Sequence, residues 1–233
     1  MGRSISRRPI TGMILGATLD HGDQRNHGYS ATSGSLVGSA NNTGTTVDLD
    51  GNVDWLDYGD SIYFSHTDGS GTDKPFSFGG WYYFDTFVTS DGWTQLLSKA
   101  KASAGTSEYD VIAKASDIRF YLWIPSRTAR NSVKLSSSPS LSTATWYHLF
   151  FTYDGSESYT GMGIYIDAVS QSLTDDSTGA YTGMVNQSET LKFGYTEDAS
   201  RSRDMNGQVD GLRMYDRELT ANEVATIYQE GRR

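Results

Sequence analysis

Residues 205–228 read MNGQVDGLRMYDRELTANEVATIY, and they predict a β-strand that leads through a tight turn into one short helix. The strand signal covers residues 208–215, where Val209, Leu212 and Met214 supply apolar side chains for a core. The rest of the chain also has strand-like patterns. A single strand–turn–helix unit near the C-terminus of such a chain favours an all-β fold with one helix.

The helix signal begins at Thr220, whose side chain can cap the first turn. Glu223 stands three residues further on and completes a capping box, while Leu219 and Val224 have the spacing of a hydrophobic staple. The apolar face of the helix consists of Val224, Ile227 and Tyr228. Such a face predicts that the helix docks on the body of the domain.

The composition is typical of a β-sandwich rather than a helical protein. The 233 residues include 25 glycines and 15 tyrosines, which favour strands joined by tight turns. A hydrophobic content of 36% is enough when alternate strand residues face water. We expect one domain over residues 13–230, preceded by a basic arm over residues 1–12 that carries three arginines.

Charge and cysteine content exclude several classes of function. The formal net charge of -9 argues against nucleic acid as a partner, because phosphate-binding surfaces need clustered Lys and Arg. The chain has no cysteine, which excludes thiol catalysis, disulfides and cysteine metal sites. No apolar run is long enough for a signal peptide or a membrane span. We therefore expect no membrane insertion and, with no signal peptide evident, an extracellular or virion-surface location.

Strand-like segments follow one another along the chain. Residues 76–86, FSFGGWYYFDT, are aromatic on both faces, which predicts a central strand covered on both sides. The Asp-Gly-Asn turn at residues 50–52 predicts a hairpin between strands at residues 45–49 and 54–58. The other predicted strands are residues 13–19, 95–99, 109–114, 118–124, 146–153, 164–167 and 191–194.

Three motifs along the chain carry a family resemblance. Residues 146–155 read WYHLFFTYDG, residues 163–167 read GIYID, and residues 210–220 read DGLRMYDRELT. In this order they resemble the central tryptophan strand, the following strand and the closing strand and helix of laminin-G-like (concanavalin A-like) jelly-roll domains. The resemblance covers residues 13–230 and implies an antiparallel two-sheet sandwich with one short C-terminal helix. The family carries a histidine near His148 for packing, so we interpret His148 as a satisfied core histidine.

The loop at residues 20–28, DHGDQRNHG, offers the oxygen ligands that Ca²⁺ binds. The resemblance implies a structural Ca²⁺ held by Asp23, the backbone near Asn26 and Asp210 of the last strand. Asp20 would be a further ligand. The alternative is a solvated turn in which Asp23 and Asn26 cap backbone amides.

Two carboxylates raise the question of glycoside hydrolysis. Retaining β-glucanases of the same superfamily carry Glu-x-Asp-x-x-Glu on one strand, whereas this chain has Glu108, Asp110 and then Ala113. Without the third carboxylate, the leaving group has no evident proton donor. We therefore expect no enzymatic activity, and we interpret Glu108 and Asp110 as solvated acids at a strand edge.

A sugar platform is the third candidate site. Lectin sites stack the apolar face of a sugar on an exposed aromatic ring and hold its hydroxyls with polar side chains. Trp93 lies in a turn-rich segment and is predicted to expose its ring, whereas Trp123 fits a core position as well. The candidate carbohydrate-binding residues are Trp93, Trp123, Arg127 and Asn131.

These features favour a non-catalytic carbohydrate-binding or adhesion module whose rim loops are stabilised by Ca²⁺. The alternative is a structural decoration protein of a virion (phage) or cell surface, which docks on other subunits through the arm at residues 1–12. A glycoside hydrolase is the least favoured interpretation. The candidate partners are thus a glycan or other surface subunits, and both interpretations are compatible with an oligomer.

Overall fold

A computed structural model describes residues 13–17, 35–42, 46–87, 92–101, 105–196 and 203–231. Within these ranges, sixteen strands form two antiparallel sheets of eight strands each, and one α-helix follows the last strand. The prediction of an all-β sandwich with a short C-terminal helix is confirmed. No helix of the described residues is long and apolar enough to cross a membrane.

The strands of the described residues are numbered in chain order. They are β1 Met13–Ala17, β2 Ser35–Val37, β3 Asn41–Asn42, β4 Val47–Asp50, β5 Trp55–Asp57, β6 Phe76–Thr86, β7 Thr94–Lys99, β8 Tyr109–Lys114, β9 Asp117–Trp123, β10 Arg130–Leu135, β11 Trp146–Tyr153, β12 Met162–Ile166, β13 Val169–Ser170, β14 Leu173–Asp175, β15 Lys192–Phe193 and β16 Asn206–Tyr215. Two 3-10 helices span Ile62–Phe64 and Tyr159–Gly161, and α1 spans Ala221–Gly231.

The two sheets enclose the main core between them. Sheet A has the order β13-β12-β11-β6-β16-β4-β3, with β1 also paired to β16, and sheet B has the order β14-β10-β9-β8-β7-β15-β5-β2. Strand β6 lies between β11 and β16, as its two aromatic faces predicted. Its residues Tyr82 and Phe84 point into the main core, where both are fully buried.

The turn after Asp50 joins the two sheets instead of closing a hairpin, so the hairpin prediction was wrong. Strand β4 pairs with β16 in sheet A, whereas β5 pairs with β15 in sheet B. The buried Asp54 fixes this corner, because its carboxylate accepts the Asp50 N–H at 2.9 Å and the Ser39 N–H at 2.6 Å. Val53 has a φ of 60°, and its N–H donates to Asp204 at 2.9 Å. The turn residues predicted a reversal of the chain but not the sheet that the next strand joins.

Helix α1 covers the outer face of sheet A, as its apolar side predicted. The capping box is present, since the Thr220 N–H donates to Glu223 Oε2 at 3.0 Å and the Glu223 N–H donates to Thr220 Oγ1 at 3.4 Å. Tyr228 stacks on Trp81 of β6 with 5.4 Å between the ring centroids. The cluster between helix and sheet contains Phe150, Tyr215, Leu219, Val224 and Ile227.

His148 lies beneath this helix, in the core as predicted, but it is not a satisfied histidine. It is fully buried, and neither ring nitrogen has a hydrogen-bond partner among the described residues. The ring stacks on Phe150 and also contacts Trp81 and Tyr228 at centroid distances of 5.2–5.7 Å. Burial lowers the pKa of His148 to about 4, and the nearby positive charge of Arg213 acts in the same direction.

We expect His148→Phe to reduce the loss of stability in mild acid. The folded-state pKa of about 4 lies below the ordinary value of 6.5, so between these values the unfolded state binds more protons. Stability therefore falls as the pH decreases through this range, by up to about 1.4 kcal/mol per pH unit. Urea unfolding across this range should give a shallower slope for the variant. Buried His66 contributes the same acid response to both proteins. Equal slopes of unfolding free energy against pH would therefore contradict the prediction.

Candidate functional site

The face of sheet B that points away from the main core is the candidate site. Along β9, Ile118, Phe120 and Leu122 are fully buried in the main core, so the alternate residues point to the other side of the sheet. These alternate residues include Tyr121, which pairs with Asp110 of β8 and Ser132 of β10, and Trp123, which pairs with Arg130. Cross-strand partners share a face, so aromatic and charged side chains from three strands meet there.

Three aromatic residues and one isoleucine on this side form a cluster that is separate from the main core, which we call the aromatic cluster. Its members are Trp93, Ile112, Tyr121 and Trp123. The rings of Tyr121 and Trp123 stack with 5.4 Å between centroids and 23° between planes. Trp123 also donates its indole N–H to Asp110 Oδ1 at 3.1 Å, which fixes the orientation of the ring.

Cationic side chains lie over the faces of these rings. The Arg127 guanidinium is 4.1 Å from the Trp123 ring centroid, and that of Arg130 is 5.3 Å from it. Lys114 and Arg119 lie over Trp93 at 4.5 and 4.7 Å. Each distance is within the range of favourable cation–π contacts. The aromatic cluster thus supports a layer of cations.

Three carboxylates balance part of this positive charge. Asp176 forms ion pairs with Arg119, Arg130 and Lys134 at 3.3–3.4 Å. Asp117 pairs with Arg119 at 3.0 Å, and Asp110 lies 3.6 Å from Arg127. Burial raises the pKa of Asp110, and the charge of Arg127 opposes that shift. We call the whole set the cation–aromatic face; it comprises the aromatic cluster, Lys114, Arg119, Arg127, Arg130, Lys134, Asp110, Asp117 and Asp176.

The four residues predicted to bind carbohydrate do not all meet on this face. Trp93, Trp123 and Arg127 lie there together, but the expected exposure of Trp93 was wrong: it is 9% exposed and Trp123 is 8% exposed. Asn131 follows Arg130 on β10 and therefore points to the opposite side, where its amide donates to the Glu157 carbonyl at 2.6 Å. A role of these residues in binding carbohydrate stays a prediction.

Several members of the face were missed by the sequence analysis. Residues 117–123 read DIRFYLW, and their period of two places Arg119, Tyr121 and Trp123 on one side. This alternation was a usable signal for Arg119 and Tyr121. Asp176 gave no such signal, because it comes from a loop far away in sequence and reaches the face only through the fold.

Glu108 and Asp110 are buried at 0% and 3% exposure, so their interpretation as solvated acids was wrong. Glu108 forms a 3.0 Å ion pair with Lys99, and its Oε1 also accepts hydrogen bonds from Ser65 Oγ and the Gln187 N–H. Burial raises the pKa of Glu108, and Lys99 acts against this shift. The carboxylate holds the loop around Gln187 against sheet B, and it offers no open position to a substrate.

The predicted Ca²⁺ ligands Asp20, Asp23 and Asn26 lie outside the described residues. Asp210 is described on β16, where its Oδ1 accepts the Gly211 N–H at 2.6 Å. Within the described ranges, no group of three or more His, Asp or Glu side chains could hold a metal ion. The Ca²⁺ site therefore stays a prediction.

Solved structures with the same architecture belong to toxin binding domains. The receptor binding domain of botulinum neurotoxin C/D mosaic serotype aligns with a TM-score of 0.64 at 15% identity, over 94% of this chain and 51% of that chain. The binding domain of botulinum neurotoxin serotype G gives 0.60 at 17% identity, over 86% and 47%. This chain thus spans about half the length of these structures, and at such identities the likeness concerns the fold alone.

Comparison at the level of sequence identifies the family. A search of curated proteins found no match. A family model described as the Concanavalin A-like lectin/glucanases superfamily matches residues 57–225, which is most of the chain. This agrees with the sandwich, its closing helix and the resemblance of the three sequence motifs. The chain belongs to the Concanavalin A-like lectin/glucanases superfamily.

Proposed function

We propose that this protein is a carbohydrate-binding module whose ligand binds to the cation–aromatic face. The observation that carries the proposal is the aromatic cluster of sheet B, which lies outside the main core and supports a layer of arginine and lysine side chains. Membership of a superfamily that includes lectins supports a binding role at the family level. The receptor-binding function of the structural neighbours is consistent with it.

The outer faces of the two sheets differ in what lies on them, and the difference favours sheet B as the binding surface. Helix α1 packs on sheet A through Val224 and Ile227 and covers the part of that face around Phe150 and Tyr215. On sheet B the outermost groups are polar, because Arg119, Arg127 and Arg130 lie over the rings. Guanidinium groups present several N–H donors in a fixed plane, which suits the oxygen atoms of a saccharide.

The rings of the face act as a rigid support and not as an open stacking platform. Tyr121 and Trp123 stack on each other, and Arg127 lies over Trp123. Fixed guanidinium groups lose less side-chain entropy on binding than free ones do. The structure thus supports recognition through oriented hydrogen-bond donors.

A glycan array followed by titration of the hits tests the proposal. We expect Trp123→Leu to weaken binding at least about tenfold, because it removes the support under Arg127 and the bond to Asp110. Tyr63→Ala is the matched control, since Tyr63 is an exposed aromatic residue outside the face. Thermal unfolding checks that both variants are folded. If binding survives Trp123→Leu and is lost in Tyr63→Ala, the binding site lies outside the cation–aromatic face. A folded protein that binds no glycan would refute the proposal.

A structural Ca²⁺ at Asp20, Asp23, Asn26 and Asp210 remains part of the proposal. Ala17, the last described residue of β1, lies opposite Leu212, which is two residues along β16 from Asp210. Carboxylate and amide oxygens are suitable Ca²⁺ ligands. Repeating the titrations and the thermal unfolding with excess chelator tests this ligand set. The decoration alternative depends on residues 1–12, outside the described residues, and stays a prediction.

A further inference from the structure

We propose that the cation–aromatic face is specific for acidic saccharides, whose carboxylate or sulfate groups bind its arginine and lysine side chains. This inference rests on the proposed carbohydrate-binding function and names the class of ligand. The face carries five cations against three carboxylates, on a chain whose formal net charge is -9. The local charge therefore has the opposite sign to that of the whole protein, which favours anionic partners at this face.

The positive charge of the face is only partly neutralised. Arg130 and Lys134 both pair with the carboxylate of Asp176, which Arg119 shares in addition to its own ion pair with Asp117. Among the described residues Lys114 has no carboxylate within ion-pair distance. It lies over the ring of Trp93, and a ring does not cancel a charge. An additional anion would therefore meet unbalanced positive charge, particularly at Lys114.

Asp110 holds two members of the face from its buried side. Its carboxylate is 3% exposed, and it lies beneath the surface with bonds to Trp123 and Arg127. The buried carboxylate lies 3.6 Å from Arg127 Nη2, and Arg127 Nη1 donates to Ser107 Oγ at 3.2 Å, so the guanidinium is held in place. Charged donors form shorter and stronger hydrogen bonds with oxyanions than with neutral hydroxyl groups, and a guanidinium can bind an oxyanion with two of them.

The low exposure of the aromatic rings also favours an acidic ligand over a neutral one. Recognition of a neutral sugar depends heavily on an open aromatic face, and Trp93, Tyr121 and Trp123 are only 7–9% exposed. A neutral sugar would have to displace the cations to reach these rings. An acidic sugar would bind the cations where they already lie.

Paired ligands that differ in the number of their acidic groups test the inference. Calorimetric titrations would compare neutral lactose with sialyllactose, which adds a carboxylate, and chondroitin, which already carries carboxylates, with chondroitin sulfate, which adds sulfates; a single-stranded DNA oligonucleotide serves as an anion that is not an acidic saccharide. We expect the more acidic member of at least one pair to bind at least about tenfold more tightly, with an affinity that falls as salt is added. The first pair tests a carboxylate, and the second tests a sulfate.

Charge variants locate the effect on the face. Lys114→Glu and Arg127→Gln should each weaken binding of the acidic ligand, whereas Lys74→Gln, at an exposed lysine outside the face, should not. Equal binding of the two members of each pair would overturn the inference, and the carbohydrate-binding proposal would stand if Trp123→Leu still weakens that binding. Equally tight binding of DNA would overturn saccharide specificity. Failure of every saccharide would refute both proposals.

Discussion

Replacing Lys99 with methionine should lower the free energy of unfolding by about 3–5 kcal/mol at neutral or slightly alkaline pH. Lys99 and Glu108 are both fully buried, with 3.0 Å between Nζ and Oε1. The ammonium also contacts Asp60 at 3.0 Å and donates to the backbone carbonyls of Gln187 and Glu189. Removing it leaves a buried carboxylate without its counter-charge. Urea unfolding of the two proteins measures the effect.

The pH dependence and a double variant distinguish this cause from a simple packing loss. With Lys99 removed, the folded state should keep a proton on Glu108 to a higher pH than the unfolded state does. The folded state then binds more protons, so the deficit relative to wild type should shrink as the pH falls. The variant Lys99→Met/Glu108→Gln, which removes both charges, should recover much of the loss. A loss that is equal in the single and double variants at all pH values would contradict the assignment.

Replacing Asp73 with alanine should cost roughly 3–5 kcal/mol of stability, because it leaves three buried donors without an acceptor. Asp73 Oδ2 accepts the hydroxyl groups of Tyr153 at 2.8 Å and Tyr181 at 2.7 Å. Its Oδ1 accepts the Met184 N–H at 2.7 Å. The carboxylate thus joins three separate segments at one end of the sandwich. Urea unfolding gives the energy, and hydrogen exchange at the Met184 amide reports the local opening.

Removing one donor instead of the shared acceptor provides the matched control. Tyr181→Phe deletes a single hydroxyl and leaves Asp73 with its bonds to Tyr153 and Met184. It should therefore cost no more than about 1.5 kcal/mol, the upper range for one hydrogen bond. If Asp73→Ala were as mild as Tyr181→Phe, the three-way junction would not be a major source of stability.

Most of the fold was predictable because strand periodicity and helix capping are local signals. Residues 109–114 and 146–153 were predicted with the bounds that the structure has. The corner after Asp50 was not predictable, because the choice of sheet depends on Asp54 and Asp204, and Asp204 is far away in sequence. Local patterns specify strands, while contacts between distant residues decide how the strands are joined.

The candidate site was predictable only in part for the same reason. Trp123 and Arg127 are close in sequence, so the sequence alone predicts that they lie together. Asp176 and Trp93 come from distant segments, and they are brought near each other only by the side-by-side order of strands β14, β10, β9, β8 and β7 in sheet B. The exposure of Trp93 was predicted wrongly because nothing in its own segment indicates that Lys114 and Arg119 lie over its ring.

The position of β16 in sheet A has a consequence for how the chain folds during synthesis. This strand pairs with β6 along one side and with β4 and β1 along the other, so strands from the first 86 residues flank it. Those strands leave the ribosome long before residues 206–215 are made, and until then β6 has an unpaired edge. Sheet A therefore closes only after β16 has been made, by contacts of long sequence separation that form slowly. Truncations that remove β16 should yield aggregating chains instead of a smaller folded domain.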